Sequence, residues 1–122
     1  MNIQVRTQGF DLTDAIQAHV NRQLRRHLAS VEEHIMVAEV YLRDINGPKG
    51  GEDKKVLINL ILTSRTSVTV EQTGSDLYTT IYAAARTAKQ SATRTLRKKQ
   101  NRQRGRLREM RQNAEEELVA SL

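Results

Sequence analysis

The chain has no cysteine, no tryptophan, one proline and one phenylalanine. Without cysteine there is no disulfide scaffold, no thiolate zinc site and no cysteine nucleophile. The aromatic residues are Phe10, Tyr41, Tyr78 and Tyr82, too few for a sheet that stacks several bases in the manner of an RRM. No apolar run approaches the roughly 20 residues of a membrane-spanning helix. Met1 to Phe10 lacks the cationic start and apolar core of a signal peptide. A cytoplasmic protein without a membrane partner is the expectation.

Catalytic and metal chemistry are poorly supplied as well. Asn46-Gly47-Pro48-Lys49-Gly50-Gly51 holds the only proline and half of the six glycines, and reads as a turn and loop. It lacks the Lys-Ser/Thr continuation of a phosphate-cradling loop. His19 and His27 stand eight residues apart on one helical pattern, about 12 Å of rise, too far to share an ion. No Ser/His/Asp set and no cleft can be placed. The expectation is a protein that is not an enzyme, with no cofactor, metal or small-molecule substrate.

What is present is charge, unevenly spread. The net charge is +6, yet residues 1–85 hold nine Lys/Arg against ten Asp/Glu. Residues 86–111 hold eleven Lys/Arg against Glu109 alone, and beyond them come only Glu115, Glu116 and Glu117. A near-neutral body with one dense basic segment points to a polyanionic partner. A solvated tail is the plain alternative for the part beyond Arg102.

Periodicity gives the elements. Asn2 to Thr7 alternates as a strand that Gly9 ends. Leu12-Thr13-Asp14 opens a helix, with Thr13 as N-cap, Leu12 as a staple and Asp14 at the positive end of the dipole. Ile16, Val20, Leu24 and Leu28 then recur every four residues, while Arg22, Arg25 and Arg26 lie opposite. Ile35 to Arg43 alternates with Met36, Ala38, Val40 and Leu42 on one face. Lys55 to Ser64 is the most apolar strand, with Val56, Ile58, Leu60 and Leu62 together, and is expected at the sheet centre. A short turn at Ser64–Ser67 leads to a strand through Val68 and Val70. Ser75 is read as the cap of the last helix, with Asp76 serving its dipole. Leu77, Ile81, Ala84, Ala85, Ala88, Ala92 and Leu96 form its apolar side; Arg86, Lys89, Arg94 and Arg97 lie roughly opposite.

The order β-α-β-β-β-α, with one apolar stripe on each helix, predicts an α+β two-layer sandwich: two helices on one face of a four-stranded sheet. Residues 1–100 form the domain, and residues 101–122 a basic, then acidic, helical or disordered tail. The outward helix faces then lie side by side. This gives one candidate RNA-binding surface from Arg22, Arg25, Arg26, Arg86, Lys89 and Arg94, with Arg97 and Lys98 beyond. Tyr78 is expected to pack structurally. Tyr41, Leu57 and Ile61 form an outer sheet patch that leaves self-association open.

The element order, the entry Leu12-Thr13-Asp14-Ala15-Ile16 with Val20, and above all Gly74-Ser75-Asp76-Leu77-Tyr78-Thr79-Thr80-Ile81 carry a family likeness. Over about residues 1–100 the chain resembles the ribosome hibernation-promoting and ribosome-associated inhibitor proteins, long described as modulators of an alternative sigma factor. The resemblance implies this same fold and a non-enzymatic role. It implies binding to ribosomal RNA in the head–body channel of the small ribosomal subunit, through basic residues of both helices. Messenger and transfer RNA would be blocked there and idle ribosomes preserved, as in a stress response. The chain departs from the pattern in its alanine-rich last helix, in Thr87 and Gln90 where basic residues are expected, and in the heavy arginine extension after Lys99. The alternatives are a general nucleic-acid module resembling a double-stranded RNA-binding domain, and a small non-ribosomal scaffold.

Overall fold

A computed structural model describes residues 1–45 and 53–120. The loop read at Asn46–Gly51 lies outside the described residues. The elements are β1 (Asn2–Gln8), α1 (Asp14–His27), a 3₁₀ helix (Ala29–His34), β2 (Ile35–Asp44), β3 (Lys54–Leu62), β4 (Ser67–Gly74) and α2 (Leu77–Ala120). The chain divides into two compact units, Met1–Ala92 and a second beginning at Thr93.

In the first unit the strands form one sheet in the order β1-β2-β3-β4. β1 runs parallel to β2, with α1 in the crossover; β2, β3 and β4 are antiparallel neighbours. Sequence-adjacent strands therefore pair throughout, as short connections favour. β3 is a central strand, and Val56, Ile58, Leu60 and Leu62 are all buried on one face of it. Ala38, Val40 and Leu42 of β2 and Val68 and Val70 of β4 join them. On top lie Ile16, Val20, Leu24 and Leu28 at the α1 end, and Ile81, Ala84, Ala85, Ala88 and Ala92 of α2. The alanines bring the α2 backbone close to the sheet but remove less apolar area from water than leucines would. The predicted two-layer α+β sandwich is thus the fold.

Local chemistry explains the boundaries. Thr13 is extended, and its Oγ1 accepts the Ile16 amide at 3.2 Å, so the expected cap is in place. Gly9 turns the chain at φ 91°, a left-handed conformation, with its backbone against Asp44. In the β3–β4 hairpin Arg65 takes φ 68°, and the Leu62 amide donates to the Thr66 carbonyl at 2.9 Å.

Three details correct the sequence reading. Met36 is 52% exposed rather than inward, because the β2–β3 register slips between Ile35 and Val37. The extra residue of a bulge turns Met36 out while Ile35 and Ala38 both stay in the core. The α2 cap is Asp76 rather than Ser75: the helix begins at Leu77, and the Asp76 carboxylate accepts the Thr79 amide at 3.1 Å. Thr80, unassigned in the apolar stripe, is buried, while Leu77 and Leu96 are half-exposed. Its hydroxyl is satisfied by donating to the Asp76 carbonyl at 2.6 Å, which is what permits burial of a threonine there.

The second unit is helical through Ala120 and exposed from Arg97 onward. Gly105 lies within this helix with open space around it.

Candidate RNA-binding surface

Two histidine–tyrosine contacts join the helices of the first unit. The His19 and Tyr78 rings meet edge-on with centroids 4.7 Å apart, and His19 Nε2 donates to the Tyr78 carbonyl at 3.1 Å. Eight residues along α1, the His27 and Tyr82 rings meet in the same way at 4.9 Å. Both contacts advance along the two helices in the same sense, so the outward faces run alongside each other.

This arrangement gathers cations from separate parts of the sequence. Tyr82, Arg86 and Lys89 follow one another at helical spacings of four and three, and so share a face of α2. Arg22 and Arg26 are likewise one turn apart on α1. Arg26, Lys89 and Arg86 all act on His27: burial pushes its imidazole below the usual range, and these three positive charges push it further in the same direction. His27 Nε2 is itself buried and makes no hydrogen bond. Burial and the neighbouring charges thus both favour the neutral imidazole. Arg22, Arg26, Arg86 and Lys89 are exposed, and among the described residues none has an ion-pair partner.

The predicted residues do not all share this position. Arg25 pairs with Glu32 of the 3₁₀ helix at 3.4 Å. Both groups are well exposed, so the pair adds little stability, but it partly neutralises Arg25. Arg94, Arg97 and Lys98 are exposed side chains of the second unit. Within the first unit, Arg26 of α1 and Arg86 and Lys89 of α2 all act on His27. Thr87, one of the two departures from the expected basic pattern, accepts from Gln72 of β4 at 3.2 Å and donates to the Ala83 carbonyl at 3.0 Å. It is a tie between helix and sheet rather than a missing surface cation.

Sequence reasoning missed that His27 and Tyr82 organise this surface. The available signal was modest: His19 and His27 border one apolar stripe, and Tyr78 and Tyr82 repeat at one turn on the other. On the outer sheet face, Tyr41 stands opposite Leu57 and its hydroxyl donates to Glu39 at 2.7 Å, a bond that raises its pKa. Among the described residues there is no cluster of three His, Asp or Glu able to hold a metal, and no helix long and apolar enough to cross a membrane.

A sheet carrying two helices with a shared cationic face defines the class. The chain belongs to the Sigma 54 modulation protein / S30EA ribosomal protein family, whose pattern matches residues 3–104. It is thus a member of a ribosome-associated modulation family. Among solved structures it is similar to the N-terminal domain of Protein Y from Thermus thermophilus. That likeness has 27% identity, a TM-score of 0.65, and covers 78% of this chain and 99% of that one. It is also similar in fold to a ribosomal subunit interface protein from Coxiella burnetii, at 21% identity and a TM-score of 0.67, over 78% of this chain and 97% of the other. No curated protein matches the chain significantly.

Proposed function

We propose that this protein binds the small ribosomal subunit through the joint face of α1 and the first half of α2. It occupies the channel between head and body, excludes messenger and transfer RNA, and so silences translation while preserving idle ribosomes. It acts in the cytoplasm by occupancy rather than by catalysis. The observation that carries this reading is the 4.9 Å contact of His27 with Tyr82, which joins α1 to α2 and sets Arg26, Arg86 and Lys89 all to act on one histidine, with Arg22 one turn before Arg26 on α1. Four exposed cations with no ion-pair partner among the described residues, on a face made by two helices, fit a folded RNA, whose phosphates dominate affinity. Arg94, Arg97 and Lys98, with the arginines after them, supply a second, less specific electrostatic contact.

The test is co-sedimentation with small subunits at graded salt, with and without messenger and initiator transfer RNA. The reading expects binding that those two ligands displace. Equal binding to arbitrary duplex RNA, with no competition, would transfer the function to a general nucleic-acid module.

A further inference from the structure

The cationic surface contains an aromatic residue that the charge argument leaves unused. Tyr82 is 44% exposed on the outward side of α2. Its ring is fixed edge-on by His27. Arg86 and Lys89 follow it on the same helix face, and Arg26 reaches the same histidine from α1. The Tyr82 hydroxyl has no partner among the described residues. A side chain needed only to cover His27 could be aliphatic; a large, half-exposed ring set against a histidine on which three cations act suits a nucleotide.

We propose that Tyr82 is a base-stacking platform: an unpaired RNA base lies on its ring while Arg26, Arg86 and Lys89 hold the adjoining phosphates. This rests on the RNA-binding reading above and adds to it a preference for single-stranded or bulged nucleotides over uniform duplex. The chemistry is general. Every base offers a π-face, so stacking is sequence-tolerant, but it requires the base to leave its helix. The His27 contact reduces the ordering cost, because the ring is already held before RNA arrives. Tyr78 lies one turn earlier and is 41% exposed. Its ring packs on His19, and its carbonyl takes the His19 hydrogen bond.

Stacking and phosphate contacts separate by their salt dependence. A lost phosphate contact lowers both the affinity and its slope against salt, whereas a lost stack lowers affinity alone. The experiment measures the full chain binding small subunits, and a single-stranded oligoribonucleotide with or without abasic positions, over graded salt. Tyr82→Leu is expected to weaken binding to both RNAs on the order of 10- to 100-fold with an unchanged slope. Tyr82→Phe should bind like wild type. Abasic substitution should weaken wild type by a similar factor and Tyr82→Leu scarcely further. Circular dichroism melts of each variant confirm that the fold is intact. Tyr82→Leu binding within twofold of wild type, or equal loss on intact and abasic RNA, would overturn the proposal. A triple charge reversal of Arg26, Arg86 and Lys89 serves as the reference. If it too leaves ribosome binding intact, the surface itself is misassigned; if it abolishes binding while Tyr82→Leu does not, only the stacking role falls.

Discussion

A methyl group on Gly74 would test how β4 hands over to α2. A Cβ built there collides with Thr80 Oγ1, while the Thr80 Cβ lies at an ordinary 3.5 Å. The hydroxyl cannot swing aside cheaply. It donates to the Asp76 carbonyl at 2.6 Å, and Thr80 is only 4% exposed. Overpacking of this kind costs about 1–3 kcal/mol. Against it, alanine loses less unfolded-state freedom than glycine, which returns about 0.4–1 kcal/mol. Gly74 has no left-handed φ to add strain. The net expectation for Gly74→Ala is a loss of about 1–2 kcal/mol, or a fall in Tm of roughly 5–15 °C for a unit of this size. Urea denaturation followed by circular dichroism measures it. The decisive arm is the double-mutant cycle. Thr80→Ala alone loses a hydrogen bond, about 0.5–1.5 kcal/mol. On that background the clashing oxygen is gone, so Gly74→Ala should become neutral or slightly stabilising. The coupling energy should then match the single-mutant loss. An equal cost of Gly74→Ala in both backgrounds would refute the steric account of why glycine stands at this point of the motif.

His27 should titrate below the ordinary histidine range in the free protein, because burial and then Arg26, Lys89 and Arg86 disfavour its charged form. The unfolded chain then binds more protons than the native one as pH falls below about 6.5, so stability declines from there through the folded-state pKa and levels off beneath it. His27→Gln should flatten that part of the profile. A polyanion that neutralises the surrounding cations should raise the His27 pKa, seen as an NMR imidazole titration moving upward when single-stranded RNA is added; no movement would place the RNA elsewhere. In the second unit, Gly105→Ala should strengthen the helix by about 1 kcal/mol and raise far-ultraviolet ellipticity. An unchanged signal would show that the segment is not helical in solution.

Elements whose patterns are local were readable in the sequence. The stripe from Ile16 to Leu28 and the alternation from Val56 to Leu62 follow from the 3.6 and 2.0 residue periods, and the Thr13 cap from a hydroxyl next to a helix start. Features that depend on a neighbour were not. The bulge at Met36 exists only relative to β3, whose register it breaks. The 3₁₀ turn at Ala29–His34 has no apolar period to announce it; only Val31 is buried there. Thr80 enters the core because the Asp76 carbonyl is within reach, and Arg25 gains an ion-pair partner because Glu32 of the 3₁₀ helix is. The candidate surface divides in the same way. Which residues are basic and outward was legible from each helix alone. That the two faces would lie side by side followed from the element order; that Arg26, Arg86 and Lys89 all act on His27, whose ring meets Tyr82, was encoded in no local pattern.

The claim that two distant segments make one RNA-binding face is tested most directly by charge reversal read through salt dependence. Arg26→Glu, Arg86→Glu and Lys89→Glu combined should leave the melting transition in place, since all three side chains are exposed. Co-sedimentation with small ribosomal subunits should be lost near physiological salt. At low salt the slope of log affinity against log salt should fall by about 2–3 relative to wild type, as expected for three lost phosphate contacts. Wild-type affinity and an unchanged slope in that variant would contradict the account.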